Sequence, residues 1–227
     1  VKGRKTAYDA ARRLIQGVLL IFALLGAVPA FAADRLVLAF GDSLTAGYGL
    51  PAAQAFPVRL QAALRGAGIA VRVQNAGVSG DTSAAGRARL AWVLRSIKGN
   101  PDLVIVELGA NDMLRGLSPD QTRANLDAIL AELKRRRIPV LLAGMRAAPN
   151  LGRGYAARFE PIFPDLARKY GARLYPFFLA GVAAQKPLLQ ADGMHPNARG
   201  VDLIVRNLAP QVIAMLRQQP SGAQPAR

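Results

Sequence analysis

A lone histidine, His195, stands three residues after an acid in the stretch Asp192-Gly193-Met194-His195-Pro196. Across so short a span the carboxylate can reach the imidazole Nδ1–H, fix the tautomer and leave Nε2 free to take a proton. Such a base needs a hydroxyl to act on. One is offered by Ser43 in Gly41-Asp42-Ser43-Leu44, a turn-forming run placed directly after an apolar segment. Two more segments carry donors suited to a developing oxyanion. Gly77-Val78-Ser79-Gly80-Asp81-Thr82-Ser83 is rich in small residues, so its backbone N–H groups can approach a ligand closely. Gly109-Ala110-Asn111-Asp112 contributes the Asn111 amide, whereas the neighbouring carboxylate has the wrong charge and no proton to give. Taken singly, each segment also reads as a turn or a helix cap. Together they supply a nucleophile, a base, an orienting acid and oxyanion donors, the set needed for acyl transfer.

Composition narrows the alternatives. The chain has no cysteine, which excludes disulfides, thiolate catalysis and cysteine-ligated metals. A single histidine excludes a multi-histidine zinc or iron centre. No metal and no organic cofactor is therefore expected. With 227 residues, about half of them hydrophobic, the chain is long enough for one well-packed domain and short for two.

The elements that must position these side chains follow a simple alternation. Short apolar runs at 36–40, 71–74, 103–108, 140–143 and 173–175 read as buried strands. Between them, 58–64, 84–97, 121–136 and 156–169 repeat apolar residues three and four apart, the helical period, with Leu90, Val93, Leu94 and Ile97 forming one stripe beside Trp92. A last helix over 198–216 closes the domain. Strict alternation predicts a parallel sheet with helices on both faces, a fold that places ligands at the carboxyl ends of its strands. All four candidate segments follow a predicted strand or precede a helix.

The ends of the chain read differently. Lys2, Arg4, Lys5, Arg12 and Arg13 precede an apolar stretch over 14–28 and then Ala30-Phe31-Ala32. A basic end, an apolar middle and a small-x-small site in that order predict a signal peptide over 1–32, cleaved near Ala32-Ala33, with an uncleaved membrane anchor as the alternative. The catalytic domain is then 33–218, and the Pro, Ser, Gly and Gln residues of 219–227 form a disordered tail. The formal net charge is +16, of which residues from 33 onward keep +12. That excess permits attraction to anionic partners, whether lipid headgroups, acidic polysaccharide or nucleic acid, and does not choose among them; peripheral contact with anionic membrane lipid is one such contact. Its one dense run, Lys134-Arg135-Arg136-Arg137, sits where a helix should end, where cations complement the dipole. No stacking aromatics or recognition motif accompany it, so no nucleic-acid partner is expected.

At this point the sequence resembles the SGNH hydrolases, also called GDSL-type esterases. Within them it is similar to the bacterial periplasmic group of multifunctional thioesterases, arylesterases and lysophospholipases. The resemblance rests on residues 40–48, on Ser79-Gly80-Asp81-Thr82-Ser83, on Glu107-Leu108-Gly109-Ala110-Asn111-Asp112, and on Asp192-Gly193-Met194-His195-Pro196-Asn197. It implies a three-layer α/β/α sandwich around a flavodoxin-like parallel sheet of about five strands. Ser43 is then the nucleophile, His195 its base and Asp192 the orienting acid. The Ser43 and Gly80 N–H groups and the Asn111 amide would form the oxyanion hole. Asp42 becomes a structural turn residue. With Leu44 and Ala110 it flanks the crevice, and Ala110 stands where close relatives often carry glycine.

Residues 145–152 resemble a mobile loop folded over the acyl chain, which adds Met145, Arg146 and Pro149 to the expected substrate-binding set. The implied substrates are small-molecule acyl esters, thioesters or lysophospholipids, hydrolysed by a monomer in the periplasm or outside the cell. Activity should rise with pH as the imidazole becomes neutral. Two alternatives stay open: a carbohydrate O-acetyl esterase of the same family, and a non-enzymatic module binding anionic envelope polymers.

Overall fold

The computed structural model describes residues 34–219. The predicted signal peptide with its cleavage site, and residues 220–227 of the predicted tail, lie outside the described residues. Five strands, β1 (Arg35–Gly41), β2 (Val71–Gly77), β3 (Leu103–Glu107), β4 (Val140–Ala143) and β5 (Arg173–Tyr175), form one sheet. Its order is β2-β1-β3-β4-β5, and every neighbouring pair is parallel. In chain order the helices are α1 (Ser43–Ala46), α2 (Phe56–Gly66), α3 (Ser83–Arg95), α4 (Ala110–Leu114), α5 (Pro119–Arg135), α6 (Gly152–Phe159), α7 (Ile162–Tyr170) and α8 (Ala198–Arg217). The result is the expected three-layer α/β/α sandwich with flavodoxin-like strand order.

Strands buried on both faces are predominantly apolar, and Val37 to Phe40 of β1 and Leu103 to Val106 of β3 are apolar and buried. Phe56, Leu60 and Leu64, four apart on α2, are fully buried where α2 packs against α8. On α3, Leu90, Val93 and Leu94 face α5, whose Leu126, Ile129, Leu130 and Leu133 form the matching stripe. Trp92 instead points outward and is 65% exposed. Helix starts are set by side-chain caps: Thr82 accepts from the Ala85 N–H ahead of α3, Ser118 from Asp120 ahead of α5, and Asn197 from Gly200 ahead of α8. None of the described helices is long and apolar enough to cross a membrane.

Three expectations are revised. β1 and β2 run on to Gly41 and Gly77, which pair with each other, so the paired ladder reaches the glycine of each functional turn. The helix predicted over 156–169 is two helices, α6 and α7, parted at Glu160-Pro161. Pro161 has no N–H to continue α6, and its ring would crowd the preceding turn. α6 also starts earlier, at Gly152, which shortens the predicted mobile loop. The basic run ends α5 as expected, with Arg135 and Arg136 both donating to Glu132.

The strand order sets the position of the site. The chain leaves β1 for one edge of the sheet at β2 and then crosses back to β3 on the other side of β1. Connections diverge there, and a crevice opens at the carboxyl ends of β1 and β3. Ser43 follows β1, and Asn111 follows β3.

Candidate active site

Gly41 ends β1 in a space that admits no side chain: a Cβ there would lie 2.6 Å from the Glu107 carbonyl oxygen. The chain therefore turns immediately into α1, with Asp42 as its cap accepting from the Leu44 N–H at 3.0 Å. Ser43 is the first residue of that helix, where a backbone N–H has no intrahelical acceptor.

Asp192 and His195 arrive from a lobe between β5 and α8. Leu189 and Pro196 pair as an antiparallel bridge, and Gly193 turns the tip at φ +69°. The Gln190 amide ties this lobe to the stretch that follows Ser43 by donating to the carbonyls of Tyr48 and Pro196 at 2.7 and 2.9 Å. The Tyr48 ring lies against the imidazole, centroids 4.6 Å apart.

This scaffold brings three side chains into one line. The His195 Nε2 is 2.9 Å from the Ser43 hydroxyl, and Nδ1 is 2.6 Å from an Asp192 carboxylate oxygen. The second Asp192 oxygen accepts from the backbone N–H groups of Met194 and His195. Those two N–H bonds, with the imidazole contact, hold the Asp192 carboxyl down at about 2. It is therefore ionised throughout the range in which an imidazole titrates, as an orienting acid must be.

The donor segments converge as well. Gly80 adopts φ +86°, a conformation suited to glycine, and its carbonyl accepts from Arg115 at 2.8 Å. Its N–H donates to no acceptor among the described residues. The Asn111 amide nitrogen donates to Asp42 at 3.1 Å and to the Asp81 carbonyl at 3.0 Å. Both of its hydrogens are thus aimed by the protein, and an incoming oxyanion would share one of them.

Of the expected substrate-binding set, Leu44 and Ala110 are half-buried beside these turns, and Arg146 and Pro149 are exposed. Asp42 and Met145 are corrections. Asp42 is fully buried, its carboxylate committed to Leu44 and Asn111, which leaves it no surface for a substrate. Met145 is 3% exposed, because the apolar run of β4 continues past Ala143 into the core. The adjoining loop is also tethered, with the Ala147 N–H donating to Glu160 at 3.2 Å.

Sequence reasoning missed the polar layer beneath the site. Glu107 ends β3 wholly buried and accepts from the Thr45 hydroxyl at 2.7 Å, bracing α1. Burial, then the charge of Asp42, pushes its carboxyl well above the usual range. Burial likewise raises Asp42 to about 6, against the pull of its bonds from Leu44 and Asn111. Under α4, Asp112 accepts from the Ser83 hydroxyl and N–H and from the Thr122 hydroxyl, which joins α3, α4 and α5. Arg89, on α3, reaches both Asp81 and the Gly41 carbonyl. The available signal was a charge ending an apolar strand at Glu107 and another on the inward side of a helix at Arg89.

Comparison with known proteins agrees with this geometry. Residues 39–203 match the GDSL-like Lipase/Acylhydrolase family. The chain is 38% identical to esterase TesA of Pseudomonas aeruginosa over 82% of its own length and 91% of that protein. It is 39% identical to thioesterase 1/protease 1/lysophospholipase L1 of Escherichia coli K12, over 85% of this chain and 89% of that one. Among solved structures it resembles AlinE4, an SGNH-hydrolase family esterase, with 52% identity, a TM-score of 0.70 and coverage of 84% of this chain and 100% of that one. A match across most of the domain, together with a serine, histidine and acid aligned at the switch point of its sheet, makes this chain a member of the GDSL-like lipase/acylhydrolase family and an ester hydrolase.

Proposed function

We propose that the chain hydrolyses acyl esters and thioesters, lysophospholipids among them, by two-step acyl transfer through Ser43, His195 and Asp192. The observation that carries this reading is the unbroken line from the Ser43 hydroxyl to His195 Nε2 and from Nδ1 to Asp192, at 2.9 and 2.6 Å. In the first step the Ser43 oxygen bonds to the acyl carbon as its proton passes to Nε2. The tetrahedral oxyanion is met by the N–H groups of Ser43 and Gly80 and by the Asn111 amide. Collapse expels the alcohol or thiol, which takes the proton from the imidazolium and leaves an acyl-serine. Water then attacks by the same route, His195 again serving as base, and releases the acid and free Ser43. No step calls for a metal or organic cofactor. The names of the relatives support this substrate range: an esterase in one case, a thioesterase and lysophospholipase in another. The enzyme acts as a monomer, exported and freed of its signal peptide.

A fluorophosphonate probe tests the reading, because it bonds only to an activated hydroxyl. Labelling at Ser43, with loss of both labelling and ester turnover in a folded Ser43→Ala variant, is the expected result. A Ser43→Ala enzyme that still hydrolyses esters at the original rate would refute it.

A further inference from the structure

We propose that Arg89 is a positioning residue that holds the three oxyanion donors in register, an inference that rests on the acyl-transfer reading above. Its guanidinium sits on the inward side of α3, with its side chain 18% exposed. Nε donates to the Asp81 carboxylate at 2.5 Å, and one terminal nitrogen donates to the Gly41 carbonyl at 2.9 Å. The guanidinium carbon lies 4.2 Å above the centre of the Phe40 ring, which fixes the plane of the group.

Each atom it grips lies close to a donor. Gly41 stands two residues before Ser43, and its carbonyl also accepts from the Val78 N–H at 3.0 Å, at the root of the Gly80 turn. Asp81 directly follows Gly80, and its N–H closes that same turn onto the Val78 carbonyl at 3.1 Å. The Asp81 carbonyl then accepts from the Asn111 amide. A single planar cation therefore couples the turn carrying the Ser43 N–H to the turn carrying the Gly80 N–H, and through Asp81 to the third donor.

A merely structural ion pair is a poor account of this arrangement. Burying an arginine with an aspartate gains little net stability, because desolvation offsets most of the attraction. What the pair does supply is direction. The guanidinium is a rigid fork whose donors diverge at fixed angles, so two partners on different loops are held at a fixed separation. Lysine, a point charge on a flexible stem, cannot span both.

Arg89 touches no reacting atom, so its effect must appear through the donors. These act mainly on the transition state, and their misplacement lowers kcat while leaving KM nearly unchanged. A displacement of about 1 Å can cost on the order of 10²-fold in rate. Arg89→Met keeps an apolar stem on the same helix face and removes every side-chain N–H, and about a 10²-fold loss in kcat is expected. Arg89→Lys should recover only part of it. Because Arg89→Met strands a buried acid, the double variant Arg89→Met with Asp81→Asn is measured beside it. It removes both charges and should fold like the parent, yet remain about 10²-fold slow. Guanidinium ion added to Arg89→Ala should restore part of the turnover. A folded double variant with the parental kcat, or a loss appearing wholly in KM, would overturn the proposal. Fluorophosphonate labelling of the unmutated protein separates the two ideas. If Ser43 fails to label, the acyl-transfer reading falls; if it labels and the Arg89 variants keep full kcat, the positioning role falls alone.

Discussion

At the scale of single residues, the site divides into groups that react and groups that aim. Asn111 belongs to both sets, since its amide is proposed to meet the oxyanion while being steered by Asp42 and the Asp81 carbonyl. Asn111→Ala should lower turnover by about 10²–10³-fold with little change in KM, the usual cost of losing one oxyanion donor. Steady-state kinetics on a chromogenic ester checks this, and an unchanged kcat would remove Asn111 from the chemistry. The residues proposed to react were legible as candidates in the sequence because chemistry restricts their type: one histidine, an acid three residues before it, a serine in a turn. The aiming residues were not. Arg89 on an amphipathic helix and Glu107 at the end of an apolar strand carry charges whose partners, Asp81 and Gly41 in one case and Thr45 in the other, are set only by packing.

Among the elements, the junction of β1, α1 and β3 is the most constrained. Glu107 closes it from below, bracing Thr45 while pushed well above its usual range by burial and by Asp42. A carboxyl whose value is raised on folding gives stability that is complete below its unfolded value and lost as pH rises through the folded one. For Asp42 that window runs from 3.8 to about 6, and for Glu107 it extends upward from 4.5. Glu107→Gln keeps an acceptor for Thr45 but cannot ionise. From about pH 5 to about pH 9 the parent should lose melting temperature relative to this variant. Calorimetry across that range is the check, and parallel curves for the two proteins would contradict it. Element types were readable from period alone, but their ends were not. The extension of β2 to Gly77 depends on pairing with β1, and the α6–α7 break at Glu160-Pro161 interrupts an apolar period that runs on across it.

Over the whole molecule, the excess of cations is spread rather than gathered. Many acids are already matched, as with Arg123 and Asp165 or Lys169 and Asp127, while the exposed Arg146 lies over the Phe177 ring and has no acid partner among the described residues. A net +12 from residue 33 onward should draw the protein to anionic lipid at low ionic strength. Flotation with phosphatidylglycerol-rich vesicles should carry the purified protein upward at about 20 mM salt and leave it behind at about 500 mM, where the screening length is only a few ångströms. Failure to float in the dilute buffer would end that idea. The carboxyl ends of the strands form the crevice, and the opposite pole holds a different feature. Arg35, the first residue of β1, donates to the Leu216 and Gln219 carbonyls. Entry to and exit from the folded body are thus side by side, about 20 Å from the turn that carries Ser43 by the length of one strand. A tether joined at Asp34 or Gln219 would hold the enzyme by its base and leave its mouth open to arriving substrate.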